Sequence, residues 1–373
     1  MSTLAYDPEA SPRDLRLDLL RGLCLVKMIF SHLWVTPPLV VTRGLGFITG
    51  AEGFFLISGV VLGLVYHRRV AVQGLKASSQ TLWQRSLNLY LANLALVFLF
   101  LTLELTDRVH ERHFRLHWPG GLDWPQVFIL DQPYYLHVLP RYVVFVALAP
   151  LALWCMQRGW TRWLLLVSVG LHGWRWFGGE AVHLPFLERP EAFFPLASWQ
   201  MLFLVGMVLG YHRPQLVVWS RKWLAPSGSG LLWGILLGVG FTAFAMLRIV
   251  LFGDGQPLSP EFLALIDRQS LGYLRLVNLT VAFGFLFWLT DRFWVPIRRW
   301  TGGLLLPVGQ NALYVFLLHI PFVWAAKMGL GPRLHGLLPE MAMGWLYFGV
   351  ECAVVSLLWW MVRRRFLFQL IPR

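Results

Sequence analysis

Charge is scarce in this chain: Asp, Glu, Lys and Arg together make up 14% of its 373 residues, against 57% that are hydrophobic. That balance excludes a single soluble core of ordinary proportions and predicts an integral membrane protein. Acidic residues are scarcer still, 19 against 32 Lys and Arg, giving a formal charge of +13. The cations are dispersed in short groups between apolar runs instead of forming a stripe on a soluble domain. Membrane topology accounts for them, and no nucleic-acid partner is expected. Cysteine is limited to Cys24, Cys155 and Cys352, all within apolar stretches and without a CxxC pair or metal-like spacing. Buried thiols, no disulfide and no metal site are expected. The first fifteen residues, "MSTLAYDPEASPRDL", lack an apolar core ahead of a small-residue cleavage site and read as a short cytoplasmic tail.

Long apolar runs are abundant. A bilayer-spanning helix needs about 20 mostly apolar residues, and ten segments qualify: 17–38, 45–66, 86–105, 134–156, 162–178, 197–212, 228–251, 272–291, 302–326 and 341–362. The expected fold is all-α, a polytopic helix bundle with a cytoplasmic tail at 1–16, one transmembrane domain over 17–366 and a second cytoplasmic tail at 367–373. With the N-terminus inside, 19 of the 32 cations fall in the cytoplasmic segments, as the positive-inside bias requires. The 20 Trp and 27 Phe fit a lipid-facing bundle with aromatic belts. No tandem or inverted repeat is evident.

The first span is unusual. "LDLLRGLCLVKMIFSHLWVTPP" carries Asp18, Arg21, Lys27 and His32. At about 100° per residue, Asp18, Arg21 and His32 share one stripe, with Arg21 and His32 about 16 Å apart along the axis. Ionisable groups inside spans usually face a cavity, but Asp18 and Arg21 also fit an ordinary helix end and His32 an interfacial histidine. The second span places Glu52 and Ser58 among glycines that permit close helix approach. Glu52 either orients His32 or serves a helix N-terminal turn. Gln310, Asn311, Tyr314 and His319 lie in one late span, and Trp199 and Gln200 open another. Such amides also serve as interhelical glue.

"RDLRLDLLRGLCLVKMIFSHL", "AEGFFLISGVVLGLVY", "FPLASWQMLFLVGMVLG", "LGYLRLVNL" and "LLPVGQNALYVFLLHIP" together resemble, in order, the motifs of the OpgC family. Those proteins are succinyltransferases of osmoregulated periplasmic glucans, related to acyltransferase family 3. In that broader group the first helix carries an Arg and a His eleven residues apart, matched by Arg21 and His32. A polar residue before "FFxxSG" is matched by Glu52, and a late-helix His by His319. The basic RxxR motif is matched by Arg85 alone, because Asn88 stands at its second position.

The resemblance implies transfer of an acyl group from cytoplasmic succinyl-CoA or acetyl-CoA to a hydroxyl of a periplasmic glucan, in the bacterial inner membrane, with both termini cytoplasmic. It implies no tightly bound cofactor. On this reading the catalytic set is His32 as general base, Glu52 and Asp18. The coenzyme set is Arg21, Arg68, Arg69, Arg85 and Ser58. The substrate set is His319, Asn311, Gln200, Trp199 and Arg141, with Arg141 or Arg175 as cation for a succinyl carboxylate. Partners are membrane lipid, acyl-CoA and the glucan; a homo-oligomer is compatible. The competing reading is a transporter or permease using the same intramembrane polar residues.

Overall fold

An acidic cap starts the first helix: Asp14 accepts a hydrogen bond from the Arg16 amide at 3.1 Å, and α1 follows over Leu15–His32. The computed structural model describes residues 5–6, 13–33, 44–106, 128, 134–174, 194–217, 229–253, 258–330 and 339–369, and no strand occurs among them. After α1 come α2 (Gly50–Leu105), a short 3₁₀ turn (Tyr134–Leu136), α3 (Val138–Gln157), α4 (Thr161–Gly173) and α5 (Leu196–Tyr211). The remainder is α6 (Ser229–Gly253), α7 (Pro260–Ile266), α8 (Tyr273–Arg292), α9 (Trp294–Gln310), α10 (Ala312–Ala325) and α11 (Glu340–Arg363).

Among the described residues six helices are long and apolar enough to cross a membrane: α2, α3, α6, α8, α10 with its π turn, and α11. The expected ten spans map onto these elements differently, for local reasons. The second and third spans lie on either side of Gly74, whose non-helical φ of 79° suits glycine and divides α2 into two helical halves. The expected span 302–326 is divided at Asn311, where φ −114° and ψ 40° separate α9 from α10. At 13 and 16 residues, α4 and α5 are about 20 and 24 Å long, short of a ~30 Å hydrocarbon core.

Glycine sets the closest packing. On α2, an added Cβ at Gly59 or Gly63 would lie 2.1 Å from a carbonyl oxygen of α5; at Gly206 or Gly210 on α5 it would lie 2.2 or 2.0 Å from one of α2. The two GxxxG faces therefore interlock, backbone on backbone, with the first half of α2 running parallel to α5. Trp83 donates to Ala147 O at 3.1 Å and Ser86 to Val143 O at 2.9 Å, so the second half of α2 runs antiparallel to α3. Another close approach joins α1 to α9 at Gly22 and Gly309.

The amino end of α1 is locked by ion pairs. Asp14 accepts from Arg16 at 2.7 Å and from Arg213 beyond α5 at 2.6 Å, while Arg16 also pairs with Asp291 at the end of α8. Burial alone would raise the Asp14 carboxyl, but the bonds and charges of Arg16 and Arg213 outweigh it and hold the pKa below the ordinary value. The cysteines carry free thiols.

Candidate active site

His32 ends α1, and α10 brings His319 against it. The two rings stack with centroids 5.1 Å apart and an interplanar angle of 19°, and His32 Nδ1 lies 3.0 Å from His319 Nε2. His319 is 1% exposed, and its Nδ1 contacts Phe316 O at 2.5 Å. A carbonyl only accepts, so His319 Nδ1 carries the proton. With His319 neutral, its Nε2 is the acceptor and His32 Nδ1 the donor. The lone pair of His32 is thereby assigned to Nε2.

A small cleft of about 40 Å³ opens beside His32. Its walls come from Met28 and Ser31 of α1, the amino end of α2 at Thr49–Ala51, Tyr135, Val138, Phe194 and Arg268. The Tyr135 ring lies 4.7 Å from that of His32, and its hydroxyl accepts from Lys327 at 2.9 Å. Gly50 belongs here because a Cβ would meet Cys24 O at 2.3 Å.

Glu52 does not occupy the expected place next to His32. It is fully buried at 0% exposure, completes a capping box with Thr49, and forms an ion pair with Arg275. The orienting position is taken by His319 instead. Lys27 lies within electrostatic reach of Glu52 and Arg248, so its charge belongs to this outer network. Arg275 was legible as an ionisable residue inside "LGYLRLVNL"; Arg268 and Tyr135, in flanking turns, had no periodic signal.

Asp18 pairs with Arg13, at 2.8 and 2.5 Å. Its position at the start of α1, eleven helical steps before Ile29 and further still from His32, separates it from the imidazole pair. Arg21 is 5% exposed and has no hydrogen-bonded partner among the described residues. Its guanidinium lies 5.7 Å from the Phe54 ring, within electrostatic reach of the cations Arg85 and Arg13 and of the Asp18 carboxylate; the Arg85 Nε is also buried without a partner among the described residues. Two neighbouring cations in that state form an anion-binding environment. Ser58 Oγ is likewise buried without a partner among the described residues, whereas Arg68 and Arg69 are exposed on α2.

The residues expected to bind substrate divide similarly. Trp199 is 0% exposed, packs on Phe194 at 4.5 Å and donates to Gln269 O at 3.2 Å, so it supports the cleft wall from behind. Arg141 is buried and donates to Phe194 O at 3.0 Å. Gln200 exchanges hydrogen bonds with Ser168 on α4, and the Asn311 amide donates to Pro307 O at 2.9 Å. Both act as glue. Arg175 lies outside the described residues, as do most of loop 106–133 and the stretch 178–193.

No curated protein and no solved structure matches the chain. The model of the family described as OpgC protein matches residues 13–363, nearly its whole length. The protein therefore belongs to the OpgC family, and that membership implies a glucan-modifying acyltransferase.

Proposed function

We propose that the protein transfers a succinyl group from cytoplasmic succinyl-CoA to a hydroxyl of a periplasmic glucan, with His32 as general base. The observation that carries this reading is the hydrogen-bonded imidazole pair, which points the basic Nε2 of His32 away from its partner. In the transfer, Nε2 takes the proton of the glucan hydroxyl as its oxygen attacks the thioester carbonyl carbon. The carbon–sulfur bond breaks, and the departing thiolate takes that proton to leave as coenzyme A thiol. The amino end of α2, facing the cleft at Gly50, supplies the Gly50 N–H and positive dipole for the transient oxyanion.

The anionic coenzyme sits further in, at Arg21 and Arg85, about 16 Å along the α1 axis from His32. Asp18 holds the inner end of α1 through Arg13 and is a positioning residue in this scheme. The chain lies in the inner membrane with ten crossings and both termini cytoplasmic. Support comes from the parallel pairing of α2 with α5 and its antiparallel pairing with α3 beyond the bend, the directions this topology requires.

Mass spectrometry of periplasmic glucans from cells with and without the gene tests the assignment, followed by His32→Ala in the same strain. Deletion is expected to remove the acyl groups, and His32→Ala to reproduce the deletion. Unchanged acyl content after deletion would overturn the glucan assignment; full activity in His32→Ala would remove the base.

A further inference from the structure

A larger cavity lies away from the imidazole pair. About 290 Å³ in volume, it opens between α3, α4 and α5, along residues 144–152, 164–171 and 196–207. At 1.5 Å per residue, its walls run for about 12 Å on α3 and about 16 Å on α5. That is close to the depth of one leaflet of a ~30 Å hydrocarbon core. Leu148, Leu151, Val167 and Leu171 at its rim are exposed, so the groove faces the surroundings of the bundle. Its two polar side chains satisfy each other: Ser168 donates to Gln200 Oε1 at 2.8 Å, and Gln200 Nε2 donates to Ser168 O at 2.9 Å. The rest of the lining is apolar, which suits an alkyl chain.

One end of the groove carries charge. The turn from α3 to α4 places Arg158 six residues beyond Ala152 of the lining and Arg162 two residues before Leu164. The Arg158 guanidinium lies 5.4 Å from the Trp154 ring centroid and that of Arg162 5.4 Å from Trp163, while Trp160 packs edge-on against Trp154 at 5.1 Å. Thr161 Oγ1 lies 2.9 Å from His212 Nε2 at the end of α5, which fixes the turn at the mouth of the groove. Both arginines are exposed, and neither has a hydrogen-bonded or ion-paired partner among the described residues. Indole rings favour the headgroup level of a bilayer, and guanidinium forks held beside them match phosphate oxygens.

We propose that this groove binds one anionic phospholipid, its phosphate at Arg158 and Arg162 and one acyl chain between α3, α4 and α5. From Arg158 back to Val144 is fourteen residues of the chain, about 21 Å at the helical rise, a distance that one lipid covers from headgroup to tail. The lipid fills the space that α4, with 13 residues, is too short to cover. Phe203 and Met207 line the groove on α5, and the same helix interlocks with α2 through Gly206 and Gly210. A bound chain therefore braces that backbone-on-backbone seam from outside.

The test follows thermal unfolding of the full chain in detergent as dioleoyl-phosphatidylglycerol or dioleoyl-phosphatidylcholine, which share their acyl chains, is titrated in. The melting temperature is expected to rise with both, with an apparent Kd roughly ten- to thirtyfold lower for phosphatidylglycerol, the scale of two cations facing an anionic headgroup. Arg158→Gln with Arg162→Gln should bring the two lipids to the same Kd. Val167→Trp fills the groove from a rim position that is already 63% exposed, and should weaken both lipids about tenfold or more without loss of the fold. Equal Kd values in wild type, or a phosphatidylglycerol preference that survives the double variant, overturn the headgroup assignment. Wild-type binding in Val167→Trp overturns the groove. A wild type that responds to neither lipid overturns the site, and a dimer that Val167→Trp dissociates gives the groove to a second copy of the chain instead.

Discussion

Replacing His319 with Phe isolates the imidazole pair from the rest of the site. His319 is 1% exposed, and Phe fills a similar volume, so packing changes little while the acceptor for the His32 Nδ1 proton disappears. A neutral hydrogen bond of this kind contributes about 0.5–1.5 kcal/mol net, a factor of roughly 2 to 12 in the population of His32 with its lone pair on Nε2. That factor is the floor for the loss in kcat. The ceiling is the full contribution of a general base, about 10²–10⁴-fold. The assay is release of coenzyme A thiol from succinyl-CoA in the presence of glucan.

The expected result is a fall in kcat between those bounds with KM for the donor unchanged. His319→Gln, whose side-chain oxygen can accept the same bond, should retain more of the rate. Because the two histidines act as a unit, the double variant His32→Ala, His319→Phe should be no worse than His32→Ala alone. Wild-type kcat in His319→Phe, or losses that simply add in the double variant, would refute the tautomer argument.

Four further outcomes are expected. Arg21→Gln should raise KM for the acyl-CoA donor about 10- to 100-fold, because the buried cation has no hydrogen-bonded partner among the described residues; an unchanged KM would place the coenzyme elsewhere. Gly206→Ala should destabilise the protein by about 1–3 kcal/mol in thermal unfolding, since the added carbon would sit 2.2 Å from Leu56 O. Gly303→Ala, with nothing within 4 Å, should be close to neutral in the same measurement. Asp14→Asn should lower the melting temperature at neutral pH. The Asp14 pKa is depressed in the folded chain, so the charged pair stabilises it above the unfolded carboxylate value of about 3.9. That contribution is lost as pH falls through the lower folded value, and the variant and wild type should converge there. A difference that persisted in acid would count against the ion pair.

The helices were largely legible because the chain's long apolar runs have few other solutions in a bilayer. Their limits were less so. The bend at Gly74 and the break at Asn311 depend on single residues within otherwise continuous patterns. The stripe of Asp18, Arg21 and His32 follows from helical period, but period does not say what each side chain meets. His32 meets a residue 287 positions later in the chain, and that separation hides the pairing from any local pattern. Glu52 carried the right type and depth for an orienting carboxylate; only the position of Arg275, brought close by α8, shows where its charge is committed.

Asp18, Arg21, Lys27 and His32 of α1 thus carry different meanings that composition alone cannot separate. Asp18 is answered by Arg13 and ties down the inner end of the helix. Lys27 belongs to the charged network around Glu52 and Arg248. His32 has a partner that assigns its protons, as a base requires, and Arg21 has cationic company and no hydrogen-bonded partner among the described residues. Burying a guanidinium with no hydrogen-bonded acceptor costs several kcal/mol unless an anion joins it. The cost singles out Arg21 as the residue of α1 whose burial makes physical sense with a negatively charged ligand in place, and Arg85 beside it strengthens the same demand.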